Sequence, residues 1–183
     1  PRHGKGVDRL IQKMTAAGDV YLGSYDGMYC SGCEAFYPES QLVDGKCPDQ
    51  GHPVEAVREA SYFFRLSKYQ EPLLAWIDAN PNAIRPLSRR NEVRAFIASG
   101  LKDLSISRTT IHWGIPWPHD PAHIVYVWVD ALTNYMSALG FGSADETLFA
   151  RYWPAAVHLV GNDIVRFHAV YWPAFLMSAG LPI

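Results

Sequence analysis

The sequence is poor in cysteine, nearly balanced in charge and free of long hydrophobic runs. Its three cysteines, among 183 residues, all lie between positions 30 and 47. An odd, clustered set argues against the disulfide framework of small secreted proteins and predicts reduced thiols in the cytoplasm. The net charge is −2, so a nucleic-acid partner requires a local basic patch. No run of about 18 apolar residues occurs, so no membrane span is predicted.

Several common catalytic signatures are also missing. The sequence contains no G-x-G-x-x-G, no G-x-x-x-x-G-K-[ST], no H-E-x-x-H and no G-x-S-x-G. It therefore gives no support to dinucleotide-binding, P-loop, zincin or serine-hydrolase functions. The chain begins without Met and ends with "SAGLPI" just after a predicted helix, so we expect it to be part of a longer protein.

Apolar and aromatic residues, by contrast, are abundant. Hydrophobic residues make up 49% of the chain and aromatic residues 13%, enough for one sizeable core with rings left over to line a pocket. Two apolar runs, 123–131 and 155–163, each lead into a helical pattern, which is typical of buried strands followed by helices. The sequence therefore predicts an α/β fold with a parallel sheet covered by helices.

The first hundred residues combine amphipathic helices with a segment that lacks apolar mass. The spacing predicts helices over 7–17, about 68–78 and 91–99 and a short strand near 19–25. Residues 61–67 are either a strand or the entry to the helix that follows them. The segment from Cys30 to His52 has little periodicity and too few apolar residues to fold alone. Something other than a hydrophobic core must stabilise it.

A metal ion is our prediction for that segment. Cys30, Cys33, Cys47 and His52 have the spacing C-x2-C-x13-C-x4-H, and tetrahedral Zn2+ takes four thiolate or imidazole ligands. Binding Zn2+ supplies folding energy that the segment lacks. Asp49 is an alternative fourth ligand, a vacant fourth position is another, and three ordinary thiols with a loop histidine are the simplest alternative.

A histidine lies on the apolar face of the helix predicted from about Asp163 to Ala179. The face is formed at i, i+3, i+4, i+7, i+8 and i+11 spacing by Ile164, Phe167, His168, Tyr171, Trp172 and Phe175. Trp128 lies near the end of the preceding apolar run and Tyr135 seven residues later, and both can reach the same volume. A space walled by rings suits a thioether, because sulfur packs well on ring edges and accepts hydrogen bonds only weakly. The alternative is a packed core with a hydrogen-bonded imidazole.

Other polar residues lie where strands are predicted to end. In open parallel sheets ligands bind beyond the carboxyl ends of strands, the position of Gly161 and Asp163; a plain N-cap is the alternative for Asp163. Arg108 precedes a predicted buried strand and is either a site residue or a surface charge. A further arginine group either tracks phosphates or forms a solvated face, which we favour: Arg85, Arg89, Arg90 and Arg94.

These stretches together resemble one family. "SYFFRLSKYQ", "DLSISR" with "WGIPWP", "YVWVDALTNY" and "HLVGNDIVRFHAVYWPAFL", with the cysteine-rich segment, are similar in this order to the middle of bacterial or organellar-type methionyl-tRNA synthetases. The resemblance runs from Gly4 onward. It implies a class I, Rossmann-like catalytic domain split by a connective insertion with a zinc knuckle. Residues 1–20 then end the first catalytic half, 21–103 form the insertion and 104–183 belong to the second half.

The resemblance also implies roles for single residues. Gly161 and Asp163 match the position that contacts the nucleotide, Arg108 matches an arginine that orders the amino-acid site, and the three cysteines and His52 match the knuckle ligands. The side-chain pocket for methionine is matched by Trp128, Tyr135, Ile164, Phe167, His168 and Trp172. The implied cofactors are ATP, Mg2+ and structural Zn2+, and the implied partners are methionine, ATP and tRNA(Met), with no membrane.

The family's two phosphate-binding motifs, HIGH and KMSKS, do not occur in these residues, so we expect the fragment by itself to be inactive. The first alternative is a zinc-stabilised module that binds the end of tRNA without catalysis. A synthetase of the same class for leucine, valine or isoleucine is the second; the ring-rich lining and the short insertion disfavour it.

Overall fold

The computed structural model describes residues 2–30, 35–37, 39–48 and 50–183. Within these residues there are six α-helices and seven strands. The helices are α1 (Arg2–Ala16), α2 (Gln70–Ala79), α3 (Leu87–Ala98), α4 (Val127–Ser137), α5 (Thr147–Tyr152) and α6 (Trp172–Ser178). The strands are β1 (Val20–Cys30), β2 (Ala35–Tyr37), β3 (Glu55–Phe64), β4 (Leu104–Ser105), β5 (Ser107–Arg108), β6 (Pro116–Trp117) and β7 (Asp120–Val125).

The strands form two small sheets, and all their pairings are antiparallel. The larger sheet has the order β2-β1-β3-β4, and the smaller has the order β5-β7-β6. The long β1–β3 pair runs from Val20 opposite Phe64 to Tyr29 opposite Glu55. It is rich in aromatic residues, which favour strands. Phe64, at one end of the pair, belongs to the main core, and the cysteine-rich segment begins at the opposite end.

The predicted parallel sheet is not found among the described residues, and the run 123–131 is not one strand. Strand β7 ends at Val125, opposite Ser107 of the short β5. Tyr126 then turns the chain as the N-cap of α4, which begins at Val127. The physical reason is local, because β5 and β6 have two residues each. The Tyr126 amide still donates to the Ile106 carbonyl, but beyond it the described residues offer no strand to pair with, whereas a helix satisfies its own hydrogen bonds.

The prediction of a buried strand at 155–163 is wrong as well. Residues 156–161 belong to no strand, and the side chains of Val157 and Leu159 are 82% and 95% exposed. An apolar run becomes a strand only when a neighbouring strand accepts its backbone hydrogen bonds. Within the described part of the chain no strand lies beside this segment.

The predicted amphipathic helices are confirmed, and they build one main core. Helix α1 buries Val7, Leu10, Ile11 and Met14 on one stripe, as the i, i+3, i+4, i+7 spacing requires. The corresponding apolar positions of α2, α3, α4 and α6 join the same core. A second, small cluster consists of Cys30, Tyr37 and Cys47. Among the described helices, none has the length and apolarity that a membrane span needs.

A buried carboxylate ties three elements of this core together. Asp19, fully buried, accepts hydrogen bonds from the Lys68 ammonium at 2.6 Å, from the Ser178 hydroxyl at 2.8 Å and, closer still, from the Tyr69 hydroxyl. Burial raises the pKa of Asp19, but the hydrogen bonds and the charge of Lys68 outweigh it and lower that pKa overall. Burial and the bond to Asp19 raise the pKa of Tyr69 to about 12.

Candidate functional site

The helical segment that carries the histidine is less regular than its spacing predicts. A 3-10 turn at Asn162–Ile164 leads into a π-helical turn at Phe167–Tyr171 and then into α6. A π turn adds one residue to a helical turn and is often found at functional sites. His168 and Trp172 still point inward, 8% and 1% exposed.

Four of the six residues predicted to line the pocket form one cluster of rings. Trp128 stacks on Phe167 with ring centroids 3.7 Å apart and an interplanar angle of 9°. The rings of His168 and Trp128 are T-shaped to each other with centroids 6.3 Å apart, and the centroids of Tyr135 and His168 are 5.6 Å apart. The start of α4 and the π turn therefore bring these rings together, as predicted. We call Trp128, Tyr135, Phe167 and His168 the ring cluster.

Hydrogen bonds fix the tautomer of His168. Its Nδ1 lies 2.9 Å from the carbonyl oxygen of Ile164. A carbonyl only accepts, so Nδ1 carries the proton. The other nitrogen, Nε2, lies 2.8 Å from the Tyr135 hydroxyl and must accept from it. Tyr135 is therefore the donor that can turn toward a ligand, whereas the sequence suggested donors from both side chains.

Two residues that the sequence did not single out extend this cluster. His158 lies 4.4 Å from Tyr135 and 5.8 Å from His168, and Trp153 lies edge-on to both His158 and Trp172. Burial lowers the pKa of His158, and its neighbour His168 lowers it further. The only available signal was a histidine inside the apolar run 155–163, which pointed to a strand instead.

A cavity of about 420 Å³ opens beside the extended cluster. Of the predicted pocket residues, only His168 and Trp172 line it, together with Trp153 and His158. The Trp172 indole nitrogen is buried and, among the described residues, has no hydrogen-bond partner. Ile164, by contrast, contributes its carbonyl oxygen to His168 and does not line this cavity. The space between Trp128 and Phe167 is filled by their own stacking.

Gly161 and Asp163 lie at the surface beside a second cavity. Gly161 is the N-cap of the 3-10 turn, so Asp163 is not the cap residue. An ideal Cβ on Gly161 would come 2.5 Å from the Asp163 Oδ1 atom, so glycine lets this carboxylate fold back over the backbone. Asp163 and Phe167 both line a cavity of about 310 Å³. The predicted nucleotide position thus adjoins the ring cluster.

Arg108 lies at the end of β5 rather than in an irregular loop. Its guanidinium is 4.4 Å from the centre of the Tyr126 ring. It also donates to the Ser105 hydroxyl and the Ser107 carbonyl, both at 2.7 Å. Tyr126 immediately precedes α4 and is two residues from Trp128. Arg108 thus contacts the residue that caps the helix carrying Trp128 and Tyr135.

Three of the four arginines between positions 85 and 94 form ion pairs with carboxylates. Arg90 and Arg94 both pair with Asp78, at 3.1 and 2.9 Å. Arg89 pairs with Glu92 one turn along α3. These contacts support the solvated face that we favoured over a surface that tracks phosphates.

Three of the four predicted metal ligands converge. The ligand atoms of Cys30, Cys47 and His52 all lie within 4.8 Å of one another, and the Cys30 sulfur is 3.8 Å from His52 Nδ1. A tetrahedral Zn2+ ion places a sulfur and a nitrogen ligand about 3.6 Å apart. The donor set therefore fits the ion. Cys33 and the alternative ligand Asp49 lie outside the described residues.

Comparison with known proteins identifies relatives of the whole chain. The sequence matches the family of tRNA synthetases class I (M) over residues 1–55 and 50–183. The methionine–tRNA ligase of Caldanaerobacter subterraneus subsp. tengcongensis is 54% identical over 181 residues, 99% of this chain and 28% of that protein. That of Bacillus subtilis is 49% identical over 194 residues, 100% of this chain and 29% of that protein.

Solved structures also match nearly the whole chain. Mycobacterium tuberculosis methionyl-tRNA synthetase bound by methionyl-adenylate matches with a TM-score of 0.88 and 54% identity, over 100% of this chain and 37% of that one. The free form of the same enzyme matches with a TM-score of 0.87, over 98% of this chain and 38% of that one. The chain thus spans less than a third of the curated relatives it matches.

Proposed function

The chain belongs to the class I (M) tRNA synthetases, and on this premise we propose that the complete protein is a methionine–tRNA ligase. In this reaction methionine and ATP give methionyl-adenylate and pyrophosphate, and the methionyl group then passes to the terminal ribose of tRNA(Met) with release of AMP. The ring cluster is the observation that carries the proposal. Its residues come from two separate helical segments and surround one histidine with a fixed tautomer.

We assign the side chain of methionine to the ring cluster together with Ile164 and Trp172. Apolar packing separates substrates that differ by one methyl group by only about 1–3 kcal/mol, so a polar contact is needed to reject leucine. The Tyr135 hydroxyl, oriented by His168, supplies it by sharing its proton between His168 Nε2 and the sulfur, a weak acceptor. With leucine in the pocket this hydroxyl gains no new partner. Because Trp128 and Phe167 are stacked, binding requires these two rings to separate.

We assign the nucleotide to Gly161 and Asp163, at the cavity next to Phe167. The methionine carboxylate attacks the α-phosphate in line, a reaction that depends on positioning and on neutralising phosphate charge. Bound Mg2+ supplies part of that neutralisation, and the HIGH and KMSKS motifs belong to parts of the protein outside these residues. Arg108 orders the amino-acid site through Tyr126. The proposal includes a Rossmann-like catalytic domain whose first half ends at residue 20 and whose second half begins at residue 104, after the insertion. It also includes a cytoplasmic location.

We assign structural Zn2+ to the end of the β1–β3 pair. Cys30 and Cys47 are buried, and His52 is held beside them by backbone hydrogen bonds between residues 47 and 52. A segment with only a small apolar cluster of its own gains folding energy from such an ion. Cys33 is the fourth ligand in this proposal, because C-x2-C presents two thiolates to one metal.

Amino-acid-dependent exchange of pyrophosphate into ATP tests the proposed function on the complete protein. We expect exchange with methionine and little with leucine, isoleucine or valine. Exchange that prefers one of those three would assign a different amino acid. Binding of RNA hairpins with a steep salt dependence, without saturable methionine binding, would identify the tRNA-end module instead.

A further inference from the structure

Glu59, in β3 of the larger sheet, has a buried carboxylate that no sequence motif indicated. Its Oε1 atom accepts a hydrogen bond from the Thr109 hydroxyl at 2.7 Å and one from the Thr110 backbone amide at 2.9 Å. The backbone amide of Thr109 also donates to it, at a shorter distance. These donors directly follow Arg108. One carboxylate oxygen therefore fixes the backbone where the chain leaves β5.

The same strand also contacts the partner of the Arg108 guanidinium. Ser61 is two residues from Glu59, so both side chains lie on one face of β3. The Ser61 hydroxyl is 2.6 Å from the Ser105 hydroxyl and donates to the Ser107 carbonyl at 3.1 Å. Arg108 in turn donates to both Ser105 and the Ser107 carbonyl. Strand β3 thus constrains Arg108 from its backbone and from its guanidinium.

We propose that Glu59 is a positioning residue for Arg108. By holding the amides of Thr109 and Thr110, it sets the orientation of Arg108 over the Tyr126 ring. This inference rests on the proposed function, in which Arg108 orders the amino-acid site. It adds a physical connection from the sheet that carries the cysteine-rich segment to the start of α4.

The electrostatics agree with this role. Burial raises the pKa of Glu59, but the hydrogen bonds from Thr109 and Thr110 and the positive charge of Arg108 lower it further than burial raises it. Glu59 is therefore ionised at neutral pH. Glutamine at this position keeps an acceptor oxygen and loses only the charge, whereas alanine loses the acceptor as well. The two substitutions separate positioning by hydrogen bonds from attraction between charges.

Pyrophosphate exchange by the complete protein tests the inference. We expect Glu59→Ala to lower kcat/KM for methionine about 10- to 100-fold, as small misplacements near a reacting centre do. We expect Glu59→Gln to restore most of it and the KM for ATP to stay nearly constant. Glu55→Ala is the matched control, because Glu55 is an exposed carboxylate on the same strand. If Glu59→Ala lowers the melting temperature but leaves kcat/KM for methionine unchanged, Glu59 is only structural.

A double-mutant cycle shows whether Glu59 acts through Arg108. In an Arg108→Lys background, which lacks the planar fork, we expect Glu59→Ala to cost less than about threefold. An equal cost in both backgrounds overturns the inference. If Glu59→Ala does not fold, Thr109→Val removes one donor and keeps the carboxylate; an unchanged kcat/KM there also overturns it. If the wild-type protein shows no methionine-dependent exchange, the proposed function itself has failed.

Discussion

Replacing His168 by alanine tests the pocket at its most constrained side chain. The substitution removes the acceptor of the Tyr135 hydroxyl and the donor to the Ile164 carbonyl. It also removes a ring that lies 6.3 Å from Trp128 and 5.8 Å from His158. Each hydrogen bond contributes about 1 kcal/mol, and each ring contact about 0.5–1.5 kcal/mol. Only part of this sum is felt by the ligand, so we expect methionine binding to weaken by about 2–3 kcal/mol.

That free energy corresponds to an increase of about 30- to 150-fold in the KM for methionine. Pyrophosphate exchange measures it in the complete protein with methionine, leucine and ATP varied in turn. Discrimination against leucine should fall together with methionine affinity, because His168 no longer orients the Tyr135 hydroxyl. The KM for ATP should change by no more than about twofold, since His168 is not among the residues assigned to the nucleotide.

His112→Ala is the matched control, because His112 is exposed and takes no part in the contacts that define the ring cluster. Its kinetics should equal those of the wild type. A folded His168→Ala protein with unchanged methionine kinetics would refute the assignment of the ring cluster. An equal rise in the KM for ATP would mean that the substitution disturbs the whole site.

Four further outcomes follow from single residues. Asp19→Asn should lower the free energy of unfolding by about 1–3 kcal/mol at pH 7; because the pKa of Asp19 is lowered, this loss should shrink as pH falls below about 4, measured by denaturant titration. Raised to about 12, the pKa of Tyr69 predicts that stability also declines as pH rises above about 10. We expect elemental analysis of the complete protein to find one equivalent of Zn2+ and Cys47→Ala to abolish it; retention of Zn2+ would contradict the ligand set. Gly161→Ala should displace the Asp163 carboxylate and raise the KM for ATP more than that for methionine.

The amphipathic helices were predictable because their signal is local. Val7, Leu10 and Met14 repeat at helical spacing, and the same spacing governs which side of α1 reaches the core. Each helix also satisfies its own backbone, so the pattern alone is nearly sufficient. The tertiary structure decides only which other elements the apolar stripe packs against.

The apolar runs were misleading because a strand depends on partners that its own residues do not specify. The run 123–131 has the composition of a buried strand, yet its partners end opposite Val125. The run 155–163 has similar composition and no strand beside it in the described chain. A prediction based on hydrophobicity alone cannot separate a paired strand from an unpaired extended segment.

The sequence predicted which residues form the candidate site better than it predicted their geometry. Helical spacing grouped Phe167 with His168, and position relative to the preceding run added Trp128 and Tyr135. The π turn and the tautomer of His168 depend on backbone detail that spacing does not encode. Glu59 could not be found at all, because it contacts Thr109 and Thr110 across 50 or more positions in the sequence.

Crystals of the complete protein grown with the selenium analogue of methionine test the assignment of the pocket most directly. Anomalous scattering locates the selenium atom of the bound amino acid independently of any assumption about the site. We expect the selenium peak in van der Waals contact, about 4 Å, with Tyr135 and His168, and the rings of Trp128 and Phe167 separated. A peak elsewhere, with those rings still stacked, would contradict the assignment.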